Sequence, residues 1–311
     1  MRKVIGIGET VLDIIFRDNQ PLQAVPGGSA FNAIISLGRA GIPAMFIGEV
    51  GNDRIGGNVR NYLVENGVDA SGVTSFPESK SPISLAFLDD ENNADYIFYK
   101  DHPHDRLDFK YPNINQDDVI IFGSFFALNP VVRPQVMGFL EYARQNGAIL
   151  YYDVNFRSSH RNDMVKVTPS LLENYELAHI VRGSSEDFEI MYNKRDCDAV
   201  YRSEISFYTK KFIYTRGGLP VELRADGGFS KQYPILPIKT VSTIGAGDNF
   251  NAGFVYGLIK YNITHNNIER GLSEQQWDQI IACAQAFSAN CCQSLNNTIT
   301  LEFGLQMKNS R

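Results

Sequence analysis

The stretch STIGAGDNFNAGF, Ser242 to Phe254, sets one carboxylate, Asp248, among small residues at the head of an apolar helical pattern. Phe250, Phe254, Leu258 and Ile259 recur behind it at helical spacing. A helix N-terminus offers unpaired N–H groups and partial positive charge, so Gly245, Ala246 and Gly247 could cradle an anion such as a phosphoryl group. Asp248, in the first turn, has two readings. It is a partner of the helix dipole, or it is a general base. A base there would take a proton from an attacking hydroxyl while the N–H groups hold the transferring phosphate. The stretch has no lysine, and the G-x-x-x-x-G-K-[ST] pattern occurs nowhere in the chain, so the cradle is not a P-loop.

Other short segments could join this chemistry. In PGGSAFN, Pro26 to Asn32, Gly27 and Gly28 let backbone approach a ligand closely, and Asn32 can both donate and accept hydrogen bonds. The plainer reading is a turn with Ser29 as helix N-cap. In YDVNFR, Asp153, Asn155 and Arg157 alternate at the end of a strand, where open α/β sheets bind ligands. Arg157 could grip a phosphate through its planar fork, or serve a surface salt bridge. TRGG, Thr215 to Gly218, ends another strand and could set backbone N–H groups near a nucleotide phosphate. GIGETV, Gly6 to Val11, falls short of a dinucleotide fingerprint because Val11 stands where a third glycine is needed. His102 and His104 flank Pro103 on a polar stretch that reads as an exposed loop or a substrate contact. His160, His179 and His265 show no partners at metal-ligand spacing.

These residues need elements to position them. Apolar strand patterns alternate with helical ones: KVIGIG, SAFNAIISLGRAG, AMFIGEVG, GGNVRNYLVENG, DVIIFGS, VVRPQVMGFLEYARQNG, AILYYDVN, LAHIVRG, SEDFEIMY and KKFIYTRG. The last two predicted helices are GDNFNAGFVYGLIKY and EQQWDQIIACAQAFSANCC. Such alternation predicts a doubly wound, mostly parallel sheet covered by helices. Two pieces break it. DIIFRDNQPLQAVPGG and ISLAFLDDENNADYIFYK, the latter with a polar turn at Asp90 to Asp95, read as antiparallel ribbons that could form a small sheet or lid. VELRADGGFSKQYPI reads as a third hairpin, turning at Asp226 to Gly228, at an edge of the fold.

Composition narrows the class. The chain has 311 residues, 43% of them hydrophobic, enough for a large core in one α/β domain or two. A net charge of -6 and a pI near 5.4 argue against nucleic-acid binding. No segment approaches the roughly 20 apolar residues of a membrane span. The four cysteines, Cys197, Cys283, Cys291 and Cys292, lack metal-ligand spacing and suit a reducing compartment. A cytoplasmic protein is therefore expected.

Taken in order along the chain, GETVLD, PGGSAFN and STIGAGDNFNAGFV resemble the ribokinase-like, or PfkB, carbohydrate kinases. The resemblance covers almost the whole chain. DVNFR and FGSFFAL look most like the fructokinase and 2-keto-3-deoxygluconate kinase branch. It implies an α/β ribokinase-like fold with a small β-sheet lid. The main domain would take residues 1–12, 32–80 and 113–311, and the lid 13–31 and 81–112. It further implies that Asp13, Gly28 and Asn32 hold the sugar, that Lys100 of FYK contacts it, and that Asp248 is the catalytic base beside a Gly245–Ala246–Gly247 anion hole. Asp153, Asn155 and Arg157 would assist at the substrate, and Thr215 and Gly217 at the nucleotide. ATP is the implied donor and Mg²⁺ the implied metal, with Glu186 acting on it indirectly. Lid edges often pair in this family, so a homodimer through the lid is a further expectation.

Departures from the family pattern carry their own expectations. Ser242 stands where an aspartate usually helps hold a monovalent cation, and CCQSLNN lacks an arginine and a glycine–alanine pair expected nearby. Weak or absent potassium activation follows. Gly183 replaces the asparagine of an N-x-x-E motif whose Glu186 remains, and Pro220 replaces a glycine after TRGG. The sequence thus predicts an ATP-dependent kinase acting on a primary hydroxyl of a fructose-like sugar. 2-Keto-3-deoxygluconate, ribose or a nucleoside are alternative acceptors. A non-catalytic sensor of the same fold, or an NAD-binding oxidoreductase, are the competing classes.

Overall fold

The computed structural model describes residues 2–89, 94–100 and 107–311. The chain begins β1 (Val4–Ile7), β2 (Val11–Arg17), β3 (Gln20–Gly27), α1 (Ser29–Arg39), β4 (Ala44–Gly51), α2 (Arg54–Glu65), β5 (Val68–Phe76), β6 (Ile83–Leu88) and β7 (Ala94–Tyr99). It continues with β8 (Val119–Gly123), α3 (Arg133–Gln145), β9 (Ile149–Asp153), α4 (Met164–Leu177), β10 (Ile180–Ser184), α5 (Ser185–Tyr192), α6 (Cys197–Val200), β11 (Phe212–Arg216), β12 (Leu219–Ala225) and β13 (Phe229–Tyr233). It closes with α7 (Ala246–Lys260), α8 (His265–Arg270), α9 (Glu274–Cys292) and α10 (Leu301–Asn309). Two compact units emerge, one of residues 1–112, 237–261 and 279–311, the other of residues 113–236 and 262–278.

In the first unit, β1, β4 and β5 pair in parallel, with Val4 opposite Ala44 and Ala44 opposite Val68. Helix α1 lies against β1 and β4, and against α7 on its other side. That double cover explains why Ala30 to Leu37 are all buried. Phe31, fully buried, packs edge-on against Phe46, and burying such a side chain stabilises the unit by roughly 1.5–3 kcal/mol. Gly6 permits the close seat of α1 on β1: a Cβ there would fall 2.4 Å from Ile34 Cγ1. The glycines of GIGETV therefore serve packing.

Both predicted ribbons form, and they join one small sheet in the order β3-β2-β6-β7. β2 and β3 pair antiparallel around Asp18 and Asn19, whose φ angles of 51° and 58° fit a tight primed turn. β6 and β7 pair antiparallel, and β2 runs parallel to β6. The second turn is shorter than Asp90 to Asp95, because Asp95 already pairs with Phe87; residues 90–93 lie outside the described residues. His102 and His104 lie outside them too. Helix α1 is capped by Gly28 at φ 134°, not by Ser29, because Ser29 is already its first residue. Gly41, at φ 72°, follows its end as expected.

In the second unit, β8, β9, β10 and β11 pair in parallel. Their runs VIIFG and ILYYD are buried throughout, as strands covered on both faces must be. β12 and β13 add antiparallel, turning at Asp226 to Gly228 as the sequence suggests. Helices α4, α6, α8 and α10 and strand β5 were not anticipated. Pro169 interrupts the α4 pattern, α8 has only six residues, and α10 leaves Leu301 and Leu305 in solvent. No helix among the described residues is long and apolar enough to cross a membrane.

Candidate active site

Asp13 sits on the inward face of β2, where burial alternates with the strand period. The parallel register sets it opposite Ser84 of β6, whose hydroxyl donates to Asp13 Oδ1. Only 6% of Asp13 remains exposed. Burial pushes its carboxyl up to about 6, and the neighbouring charges of Asp248 and Glu9 add to the rise. Hydrogen bonds from Ser84 and Asn297 oppose it without cancelling it.

Helix α1 delivers Asn32 and Ser36, one turn apart, to the first turn of α7. Asn32 Nδ2 donates to Asp248 Oδ2 at 2.8 Å. Ser36 Oγ donates to Asn249 Oδ1 at 2.6 Å. Asn32 is 4% exposed, and its Oδ1 is buried without a hydrogen-bond partner. A buried acceptor left open in this way suits a ligand hydroxyl. The structure thus brings Asp13, Asn32 and Asp248 together, although they come from three separated segments.

The turn before α7 has a defined shape. Gly245 caps the helix at φ 75°, and a Cβ there would fall 2.4 Å from the Asn297 carbonyl oxygen. Asn249 Nδ2 braces it by donating to Gly245 O at 2.8 Å and Asn297 O at 2.9 Å. The Ala246 N–H turns inward to Thr243 O at 3.1 Å. The Ala246 N–H is thus committed within the turn, and the next N–H of the helix is that of Gly247. Ser242 is fully buried, and its hydroxyl accepts from Ile244 N at 3.2 Å.

Asn297 was missed by the sequence reading. It is fully buried, its Nδ2 donates to Pro26 O at 3.2 Å and it bonds Asp13. It therefore ties the PGG turn, the β2 carboxylate and the Gly245 turn. Gly27 makes room for this, since a Cβ there would fall 2.1 Å from Asp13 Oδ2. Gly28 approaches just as closely, with its Cβ position 2.2 Å from Glu9 O. Glu9, also given no role from sequence, takes Lys100 Nζ at 2.6 Å on each carboxylate oxygen.

The remaining predicted residues lie in the second unit. Asp153 ends β9 as a buried carboxylate, and Arg182 Nη1 donates to its Oδ1 at 2.9 Å. The other Arg182 nitrogen, Nη2, donates to Thr215 Oγ1 at 2.7 Å. Arg182, unremarked in the strand pattern IVRG, thus links the ends of three adjacent strands. Burial alone would lower its guanidinium, but Asp153 and Asp187 more than offset that and hold it above its usual range. Asn155 takes a left-handed φ of 35°, which an asparagine tolerates better than most. Arg157 and Glu186 are exposed, the latter in the first turn of α5. Gly217 turns the chain from β11 to β12 at φ 53°. Gly183 has a steric reason: a Cβ there would fall 2.5 Å from the Phe188 ring, so an asparagine has no room.

One expectation is corrected in this unit. His179, His265 and Glu269 do converge, with ligand atoms within 4.8 Å of one another. Spacing alone hid this, because only His265 and Glu269 share a helix. The arrangement is a hydrogen bond in chemical character. Leu150 N donates to His179 Nδ1 at 2.9 Å, so the His179 proton sits on Nε2 and faces His265 Nε2 at 3.0 Å. Burial, then His265, pulls His179 down to about 3 and keeps it neutral.

Comparison with known proteins agrees with this geometry. Residues 1–303 match the pfkB family of carbohydrate kinases. Over 245 residues the chain is 28% identical to the 5-dehydro-2-deoxygluconokinase of Geobacillus thermodenitrificans, covering 75% of this chain and 72% of that protein. It aligns with aminoimidazole riboside kinase from Salmonella enterica, complexed with aminoimidazole riboside and an ATP analogue, at TM-score 0.80, 22% identity and 99% of each chain. It aligns with a fructokinase double mutant from Vibrio cholerae, in its fructose, ADP and potassium ion bound form, at TM-score 0.83 and 18% identity. That alignment covers 97% of this chain and 95% of the other. The structural likenesses establish the α/β, ribokinase-like fold, and the match over residues 1–303 establishes the family. The chain belongs to the pfkB family of carbohydrate kinases.

Proposed function

We propose that this carbohydrate kinase transfers the γ-phosphate of ATP to a primary hydroxyl of an uncharged, fructose-like monosaccharide. The observation that carries the reading is the 2.8 Å hydrogen bond from Asn32 Nδ2 to Asp248 Oδ2. It supports a base whose carboxylate is held in one orientation by a buried amide. Asp13 and the open Oδ1 of Asn32 hold further hydroxyls, and Gly28 brings backbone close to the sugar. Asp248 removes the proton as the hydroxyl attacks. In this reading charge develops beside the turn at Gly245, Ala246 and Gly247, at the α7 N-terminus, with the Gly247 N–H as a donor.

When bound, ATP supplies the phosphoryl group and Mg²⁺ offsets its charge. The exposed guanidinium of Arg157 suits a phosphate polyanion, and the exposed carboxylate of Glu186 would act on it indirectly, through Mg²⁺. Thr215 and Gly217 attend the nucleotide, and Asp153 and Asn155 shape the strand end from which Arg157 departs. We assign the main domain to 1–12, 32–80 and 113–311 and the lid to 13–31 and 81–112. The separate sheet of β2, β3, β6 and β7 supports that division. A lid suits a kinase because closure excludes water as a competing acceptor. The free cysteines support a reducing, cytoplasmic setting.

A sugar acid is the second reading, favoured by the 28% identity to a 5-dehydro-2-deoxygluconokinase. ATP consumption measured across fructose, 2-keto-3-deoxygluconate, ribose and a purine riboside tests both. Turnover highest on fructose is the expected outcome, and highest turnover on the acid or a riboside overturns the assignment. Nucleotide binding with no transfer to any acceptor would favour a sensor instead.

A further inference from the structure

The acceptor site carries a charged pair beside its carboxylates. Lys100, directly after β7, places Nζ 2.6 Å from each oxygen of Glu9. Glu9 lies just beyond β1, in the bend that leads into β2. The two side chains are only 26% and 19% exposed for Glu9 and Lys100, so solvent screens them weakly. The same Glu9 charge is felt at Asp13, together with that of Asp248. Three carboxylates therefore accompany one ammonium, and both oxygens of one carboxylate already hold it.

We propose that Glu9 sets the charge class of the acceptor: by occupying Lys100 it withholds that cation from substrates and selects uncharged sugars over sugar acids. This deepens the kinase reading and rests on it. Hydroxyl groups can bond to carboxylates and amides with Lys100 left in place. A substrate carboxylate instead meets net negative charge, and Lys100, neutralised by Glu9 through two of its three N–H groups, offers it full ion pairing only if Glu9 is displaced. Glu9 would then be a sheltered charge without a partner, which is costly. Selectivity here comes from the penalty on the wrong ligand as much as from contacts to the right one.

The variant Glu9→Gln keeps the shape and an oxygen that accepts from Lys100, but drops the charge. kcat/KM is measured for fructose and for 2-keto-3-deoxygluconate in wild type, E9Q and E9Q/K100M. The acid-to-neutral ratio is expected to rise at least about 10-fold in E9Q, a 1.4 kcal/mol change, and to fall back in the double variant. An unchanged ratio in E9Q, or a rise that survives loss of Lys100, overturns the proposal. Calorimetric binding of D-gluconate and D-fructose without ATP reads the same ratio independently of phosphoryl transfer. The binding ratio is expected to shift as the kinetic one does. Binding that shifts as expected with no transfer in any protein contradicts the kinase reading alone. Absence of binding of both sugars in all three proteins overturns the selectivity proposal as well.

Discussion

Asn32 and Asp248 meet through a 2.8 Å hydrogen bond across 216 residues of chain. The contact fixes α1 against the first turn of α7, where the glycine turn also lies. It bears on both readings of Asp248. A dipole partner needs no buried amide, whereas a base gains from one that holds its carboxylate in a single orientation.

Loss of that amide should therefore act on rate. Asn32→Ala removes a hydrogen bond to a charged group, worth roughly 1.5–3 kcal/mol. We expect kcat/KM for the sugar to fall by about 10- to 100-fold, with thermal unfolding lowered by several degrees but the protein still folded at the assay temperature. Activity within twofold of wild type would show that Asp248 does not depend on Asn32.

Asp13 predicts a pH dependence of stability. Its folded-state pKa, about 6, lies above the ordinary 3.8. Its contribution to stability is thus fully present below about pH 4 and is lost as the pH climbs through about 6. Asp13→Asn carries no charge at any of these pH values. Denaturant titration should find it more stable than wild type at pH 8, by roughly 3 kcal/mol from the size of the shift. That advantage should vanish near pH 4. An equal difference at both pH values would contradict the assignment.

Arg182 predicts a structural penalty. Arg182→Met leaves the buried Asp153 carboxylate without its 2.9 Å partner. Breaking a buried pair from one side costs roughly 3–5 kcal/mol. The double variant R182M/D153N should recover much of that loss in a denaturant titration. No recovery would mean that packing, not charge, makes Arg182 important.

How much of this could be read from sequence depends on the kind of signal. The strand and helix alternation was legible because β8 and β9 are continuous apolar runs and α1 and α7 carry apolar periodicity. The ribbons were legible from their polar turns. Asp13, Asn32 and Asp248 were legible as candidates because each sits in a glycine-rich or strand-end context. Their convergence became visible only in three dimensions. Asn297 and Arg182 gave no local cue. The first is a polar residue in a short irregular segment, and the second a charge inside an apolar strand. Both act through partners far away in the chain. The grouping of His179 with His265 was hidden for the same reason. Helix α10 escaped because a helix with one buried residue, Gly304, leaves almost no periodic trace.

Ser242 bears on the monovalent cation. Its hydroxyl is fully buried and already accepts from Ile244 N. A neutral, committed oxygen is a poor substitute for a carboxylate ligand. Turnover should be equal, within twofold, in potassium chloride and in tetramethylammonium chloride. Strong stimulation by potassium would contradict this expectation.

Asp248 as the base is the central claim, and single-turnover phosphoryl transfer to fructose tests it most directly. The comparison is between wild type and Asp248→Asn, an isosteric change that can keep one oxygen toward Asn32. We predict that the transfer step slows by on the order of 10²-fold or more while ATP and fructose still bind. Transfer at a rate near that of wild type would contradict the account.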